Sequence, residues 1–141
     1  MKLFGHPVHL MLVHFPVALW PAHWGFHLLV ESLPPNIAAI AGFWWLAAGT
    51  ALGWLAAGCG LSDLINLARS DDPIALNQAL RHAGINGTVL LGFTVLLGLE
   101  RGSYPKISNG TGFLAIEAGL LGLMLAGNYF GGEVNWRQMR R

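Results

Sequence analysis

Residues 37–61 read IAAIAGFWWLAAGTALGWLAAGCGL and contain no charged side chain. This run exceeds the roughly 20 apolar residues that an α-helix needs to cross the hydrocarbon core of a bilayer. Three further apolar runs lie at residues 9–30, 81–99 and 111–130. We therefore expect an all-α membrane protein in which an antiparallel bundle of four transmembrane helices forms a single domain over residues 1–141.

The composition of the chain supports a membrane location and excludes several classes of protein. Charged residues make up 11% of the sequence and hydrophobic residues 54%, whereas an ordinary soluble domain carries about 25% charged residues. A net charge of +1 lacks the dense basic face of a nucleic-acid binder, so we expect no nucleic-acid partner. The single cysteine, Cys59, excludes an intrachain disulfide, a CxxCH covalent haem site and a CxxC zinc site.

The connections and their charges predict the topology. Pro34-Pro35 separates the first two runs, residues 102–110 separate the last two, and the longest connection, residues 62–80, contains Asp72-Pro73, which predicts a helix that begins at Pro73. Six basic residues lie on the side of the termini and two on the opposite side: Lys2, Arg69, Arg81, Arg137, Arg140 and Arg141 against Arg101 and Lys106. The positive-inside rule then predicts an integral protein of a prokaryotic cytoplasmic membrane with both termini cytoplasmic.

Glycine is concentrated within the apolar runs. The chain has 19 glycines, including pairs four residues apart at Gly49/Gly53, Gly98/Gly102 and Gly127/Gly131. Small residues at this spacing let membrane helices pack closely. The same absence of side chains leaves room for a flat cofactor between helices. The sequence leaves both interpretations open.

Two segments of the chain resemble a known family. The opening Gly5-His6-Pro7-Val8-His9-Leu10-Met11-Leu12-Val13-His14-Phe15-Pro16 and the closing Gly127-Asn128-Tyr129-Phe130-Gly131-Gly132-Glu133-Val134 are similar to the signatures of the DUF2231 family of predicted four-helix membrane proteins. Arg81-His82 at the start of the third run also fits the pattern of that family. The resemblance implies a four-helix membrane fold over nearly the whole chain.

Six histidines in so apolar a chain are the main functional signal, because ionisable groups at membrane depth usually face a bundle interior, a cofactor or a water-filled path. At 1.5 Å per helical residue, His9 and His82 are expected at the inner edge of the hydrocarbon core, with His6 just outside it and His14 deeper. Asp63 shares the layer of His9 and His82. A second group is expected in the outer half: the i, i+4 pair His23 and His27, level with Glu117, forms an outer polar site.

The first hypothesis is a membrane-embedded, cytochrome b-like electron-transfer protein with haem b as its cofactor. Neutral imidazoles of His9, His14, His82, His23 and His27 are the candidate axial ligands. His9 and His23 lie 14 residues apart, a rise of roughly 21 Å, which suits two stacked haems. A second bis-histidine haem would need a homodimer, or a methionine such as Met124. The bilayer and a redox partner or quinone are the further partners of such an electron carrier, and no motif of a hydrolase or transferase is present.

Two other hypotheses stay open. The second is a protein that binds or transports a divalent transition metal, with His6, His9, His82 and Asp63 as ligands for a Zn, Ni, Cu or Fe ion. The third is a structural membrane subunit whose histidines only form hydrogen bonds. A cofactor that joins two helices of one chain through imidazoles requires His82, since no other histidine lies on the second, third or fourth run. We expect it to pair with His9 or His14.

Overall fold

A computed structural model describes residues 2–3, 6–104 and 110–139 of the chain. Two short strands, β1 (Lys2–Leu3) and β2 (His6–Pro7), pair in antiparallel fashion before the first helix. The described residues then form four long helices: α1 (Val8–Leu28), α2 (Pro35–Ala68), α3 (Pro73–Ser103) and α4 (Thr111–Met139). A single 3-10 turn, Val30–Ser32, lies between α1 and α2.

Three of these helices are long and apolar enough to cross a membrane: Asn36–Ala68, Pro73–Ser103 and Thr111–Val134. The all-helical fold that the sequence predicts is thus confirmed, with membrane-type helices at three of the four expected positions. Helix α1 differs because its 21 residues include four histidines and two prolines. Its assignment as a fourth membrane span stays a prediction.

Helices α2 and α3 extend beyond the apolar runs from which they are predicted. Helix α2 continues to Ala68 and α3 begins at Pro73, so the connection between them is only four residues long. The side chain of Asp72 caps α3 by accepting a 3.0 Å hydrogen bond from the backbone N–H of Ala75. Proline follows in the first turn, where it suits the geometry of a helix start. This start agrees with the sequence prediction.

Neighbouring helices in the bundle run in opposite directions. His9 of α1 contacts Ala56 of α2, and His23 of α1 contacts Gly42 of α2. Residue numbers therefore increase along α1 while those of the contacted residues on α2 decrease, so the two helices are antiparallel. Helix α3 packs against both α2 and α4, while α1 contacts α4 only lightly. Helices α1 and α3 are therefore parallel and lie diagonally across the bundle. We refer to the end of the bundle with the α2–α3 connection as the terminal end and to the opposite end as the far end.

Side chains of α1 and α3 meet across this diagonal at three levels. His9 faces His82, Trp20 stacks on Phe93, and His27 contacts Glu100. Each pair is separated by the same 73 positions, between 9 and 82, 20 and 93, and 27 and 100. Because this difference is constant, residues of α1 and α3 that are 73 positions apart lie at the same level of the bundle.

The hydrophobic core occupies the middle of the bundle. The rings of Trp20 and Phe93 stack with centroids 4.3 Å apart and planes 14° from parallel. The indole N–H of Trp20 donates to the Thr50 hydroxyl at 3.4 Å. Other buried members of this core are Leu46, Val89, Leu90, Leu96 and Met124. Met124 thus packs among apolar side chains in the centre of the protein.

The glycine pairs differ in how closely neighbouring side chains approach them. A Cβ atom at Gly49 would lie 2.9 Å from the Trp20 ring, and one at Gly53 would lie 2.9 Å from a Leu90 methyl. This pair permits close packing, as expected for small residues. A Cβ atom at Gly98 or Gly102, by contrast, would meet no neighbouring atom within 4 Å. The third pair, Gly127/Gly131, faces the side chains of α3 that are described next.

Candidate functional site

Two groups of titratable side chains lie inside the bundle. The first, the histidine pair, consists of His9 on α1 and His82 on α3, toward the terminal end. Their ring centroids are 6.1 Å apart and their planes nearly perpendicular, at 88°. The second, the His–Glu cluster, lies toward the far end and consists of His23, His27, Glu100 and Glu117. The two groups are separated by the Trp20–Phe93 layer.

Each imidazole of the histidine pair is held by a backbone carbonyl of the adjacent helix. His9 Nδ1 lies 2.8 Å from the carbonyl oxygen of Ala56, and His82 Nδ1 lies 2.8 Å from that of Gly127. A carbonyl oxygen can only accept, so each of these contacts requires a proton on Nδ1. His82 Nδ1 also lies 3.0 Å from the amide nitrogen of Asn86, which can only donate and therefore requires the opposite tautomer of that ring. In a neutral ring that donates from Nδ1, Nε2 keeps its lone pair. This tautomer, with Nδ1–H fixed by a carbonyl, is the one that metal-binding histidines commonly adopt.

Glycines seat both rings against the neighbouring helices. A Cβ atom at Gly60 would lie 2.8 Å from His9 Cε1, and one at Gly131 would lie 2.7 Å from His82 Nδ1. The amide of Asn86 lies beside His82 and donates to Asn128 Oδ1 at 3.3 Å. Both imidazoles are half-buried. The rings therefore pack against α2 and α4 along their Nδ1–Cε1 edges.

The other residues expected in this layer are not all brought to the pair. The exposed ring of His14 contacts the Leu10 carbonyl of its own helix rather than His82. Asp63 is half-buried on α2. The side chain of His6 lies outside the described part of the structure. The metal set that combines His6, His9, His82 and Asp63 therefore stays a prediction.

The His–Glu cluster is the most deeply buried polar group that the structure describes. His23 and Glu117 are fully buried, and His27 and Glu100 are 2% and 5% exposed. His23 Nε2 lies 3.0 Å from Glu117 Oε1 and 3.5 Å from Glu100 Oε1. His27 Nε2 lies 3.0 Å from Glu100 Oε1, while its Nδ1 lies 3.2 Å from Glu117 Oε1. Three helices thus contribute nitrogen or oxygen atoms that all lie within 4.8 Å of one another.

Hydrogen bonds satisfy this cluster only in part. His23 Nδ1 donates to the Gly42 carbonyl at 2.9 Å, and His23 Nε2 forms a hydrogen bond with Glu117 Oε1. Three other buried atoms of these four residues have no hydrogen-bond partner: His27 Nδ1, Glu100 Oε1 and Glu117 Oε2. These atoms approach one another closely, but their N–H directions do not point at the lone pairs. The cluster therefore brings together more nitrogen and oxygen atoms than its hydrogen bonds use.

The sequence interpretation groups His23 and His27 with Glu117 and gives Glu100 no role. Glu100 precedes Arg101 at the end of an apolar run, a position that is typical of a membrane boundary. In the structure α3 continues to Ser103, and the carboxyl group of Glu100 turns into the bundle. The offset between His9 and His82 could have indicated this, because it places Glu100 at the height of His27.

The geometry defines a helical membrane protein with two groups of histidines inside its bundle. The chain matches the family profile described as predicted membrane protein (DUF2231) over residues 5–139, and it therefore belongs to that family. This membership confirms the resemblance seen at both ends of the sequence. No curated protein and no solved structure matches the chain.

Proposed function

We propose that this chain is a membrane-embedded electron-transfer protein that binds haem b, with His9 and His82 as the axial ligands. One observation carries the proposal. Two imidazoles from the parallel helices α1 and α3 face each other at one level, and each has its Nδ1 2.8 Å from a backbone carbonyl oxygen. A ring that donates its Nδ1 proton to this carbonyl leaves the Nε2 lone pair available to a metal.

The separation of the two rings suits a single metal atom between them. Two imidazoles on opposite sides of a metal have ring centres roughly 6 Å apart, because each metal–nitrogen bond is about 2 Å long and the ring centre lies about 1 Å beyond the nitrogen. The observed separation of the centroids is 6.1 Å. The two ring planes stand at 88°. The iron of a haem has two such axial positions.

The proposal includes α1 as a fourth membrane span. Its buried residues are Pro16, Trp20, His23 and His27, all on the side that faces the other helices. Outside this stripe, the exposed surface of α1 includes Met11, Phe15 and Leu28. Histidines that face a bundle interior are compatible with a membrane span, because their polar atoms find partners within the protein. The orientation with both termini in the cytoplasm belongs to the same proposal.

A second candidate is a bare transition-metal ion at the histidine pair. The same Nε2 lone pairs favour it, since imidazole binds Zn, Ni, Cu and Fe ions. Two imidazoles leave at least two coordination positions of such an ion for other ligands. A haem supplies four nitrogen ligands of its own, so it needs no further protein ligand. For this reason haem is the first candidate.

The absorption spectrum of the purified protein tests the proposal. We expect protein expressed with haem supply to show a Soret band and a stoichiometry of about one haem per chain. His9→Ala and His82→Ala should each remove most of the bound haem, since a bis-histidine iron loses one of its two protein ligands. His14→Ala is the matched control, because this histidine is exposed on the same helix, and should retain the haem.

Two results would overturn the haem assignment. One is a colourless protein that takes up no added haem. The other is a haem content that is unchanged in both His9→Ala and His82→Ala. A colourless protein that contains a transition metal, lost in the same two variants, would instead support the bare ion.

A further inference from the structure

We infer that the His–Glu cluster is a second, separate binding site that holds one divalent transition-metal ion. The ligands are His23 Nε2, one ring nitrogen of His27, and one carboxylate oxygen each from Glu100 and Glu117. This inference does not rest on the haem proposal, because the cluster shares no residue with the histidine pair.

The donor atoms are close enough together to share one ion. With metal–ligand bonds of about 2 Å, the corners of a tetrahedron are roughly 3.3 Å apart. One ligand atom of each residue lies within 4.8 Å of all the others, and the His–Glu contacts measure 3.0 to 3.5 Å. An ion within the cluster would bind nitrogen and oxygen lone pairs that the hydrogen bonds leave unused. The three buried atoms without a hydrogen-bond partner, on His27, Glu100 and Glu117, would then include ligand atoms.

The charges of the cluster also suit a doubly charged ion. Glu100 and Glu117 place two carboxyl groups in the buried cluster. An uncompensated charge in a buried site is costly. A divalent ion bound by two carboxylates and two neutral imidazoles leaves the cluster without net charge.

The donor set narrows the class of metal. Two imidazole nitrogens and two carboxylate oxygens, without a thiolate, suit Zn²⁺, Fe²⁺, Ni²⁺ or Cu²⁺ rather than Cu⁺. Magnesium and calcium prefer oxygen-only sites with more ligands. Four protein ligands and almost complete burial are typical of a closed, tetrahedral site. We therefore use Zn²⁺ as the probe, with Co²⁺ as its spectroscopic substitute.

The test uses the full-length protein in detergent, freed of metal with a chelator. Calorimetric titration with Zn²⁺ gives both the stoichiometry and the affinity. We expect one ion per chain. Glu100→Gln, which keeps the shape of the side chain but removes its charge, should weaken Zn²⁺ binding by more than about 100-fold, because it alters a direct ligand. Its haem content should not change.

Matched controls and the visible spectrum of Co²⁺ make the result specific. Glu133→Gln changes a half-buried glutamate of α4 outside the cluster and should bind Zn²⁺ as wild type does. The same holds for His82→Ala, which separates this site from the histidine pair. Co²⁺ in the wild-type protein should show the intense d–d bands of a tetrahedral site, and Glu100→Gln should lack them. Failure of wild-type protein to bind either ion would overturn the inference, and so would binding that Glu100→Gln leaves unchanged.

Discussion

Replacing Gly131 by alanine should displace the imidazole of His82. A Cβ atom at this position would lie 2.7 Å from His82 Nδ1 and 2.8 Å from Cε1, whereas ordinary contacts begin at 3.4 Å. The ring must therefore retreat from α4 by about 0.7 Å. The carbonyl that accepts its proton, on Gly127, belongs to the same helix α4. The retreat would lengthen this hydrogen bond from 2.8 Å to roughly 3.5 Å, beyond the normal range.

The magnitude follows from three opposing contributions. Loss of the hydrogen bond costs about 1 kcal/mol, and overpacking against a ring that cannot rotate away costs about 1–3 kcal/mol. Alanine in place of glycine favours the helix by about 0.5–1 kcal/mol. We therefore expect Gly131→Ala to lower the free energy of unfolding by about 1–3 kcal/mol. The variant should also bind less haem, because Nε2 no longer points at the shared centre.

Two other glycines of the bundle serve as controls. A Cβ atom at Gly84 would meet no atom within 4 Å, so Gly84→Ala should gain only the helix contribution of about 0.5–1 kcal/mol. At Gly92 the nearest atoms are the methyl groups of Leu120, 2.6 and 2.9 Å away, which a rotation can move aside. Thermal unfolding in detergent, followed by far-UV circular dichroism, compares the three variants. A Gly131→Ala protein as stable as Gly84→Ala would refute the reasoning.

Three further predictions concern the core, a helix start and the topology. Trp20→Ala should lower the free energy of unfolding by about 3–5 kcal/mol, because it empties the central stack; a loss below about 1 kcal/mol in chemical denaturation would contradict this. Asp72→Ala should cost about 1 kcal/mol through the lost helix cap, measured in the same way, and an unchanged stability would argue against the cap. In a Cys59→Ala background, cysteines at Ser32 and Ser70 should react with a membrane-impermeant thiol reagent from opposite sides of the membrane, Ser70 from the cytoplasm; labelling from one side only would disprove four spans.

The sequence predicts the helices better than it predicts their ends. An apolar run indicates how much of a helix can lie in lipid. The second run ends at residue 61, and the sequence therefore predicts that the second helix ends there. The helix itself continues to Ala68, because a helix ends where its backbone is capped or broken and not where hydropathy falls. At the start of α3 the capping signal Asp72-Pro73 was available, and there the predicted and observed boundaries agree.

Counting residues along a helix predicts the level of a side chain along the bundle axis. The direction in which the side chain points can be determined only from the packed structure. His9 and His82 are expected at one level, and they meet. The sequence leaves His14 open as a partner, although five residues rotate it by about 140° from His9 at 100° per residue. Glu100 is missed for another reason. Near the end of a helix, a carboxyl group can face either the membrane boundary or the interior of the bundle. Which of the two it faces depends on how the neighbouring helices pack, and the sequence alone does not show this packing.

Glycines of the bundle accommodate two different kinds of ring. In a helix the carbonyl of residue i accepts the N–H of residue i+4 and keeps a second lone pair. The side chain of residue i+4 extends back over that carbonyl, so a glycine there leaves the oxygen open. Gly60 follows Ala56 at this spacing, and Gly131 follows Gly127, and the carbonyls of Ala56 and Gly127 contact His9 and His82. Gly53 follows Gly49 at the same spacing, and both glycines lie against the Trp20 indole instead. A glycine four residues after a small residue thus accommodates whichever ring the neighbouring helix places at that height, and where the ring is an imidazole the exposed carbonyl can also accept its N–H.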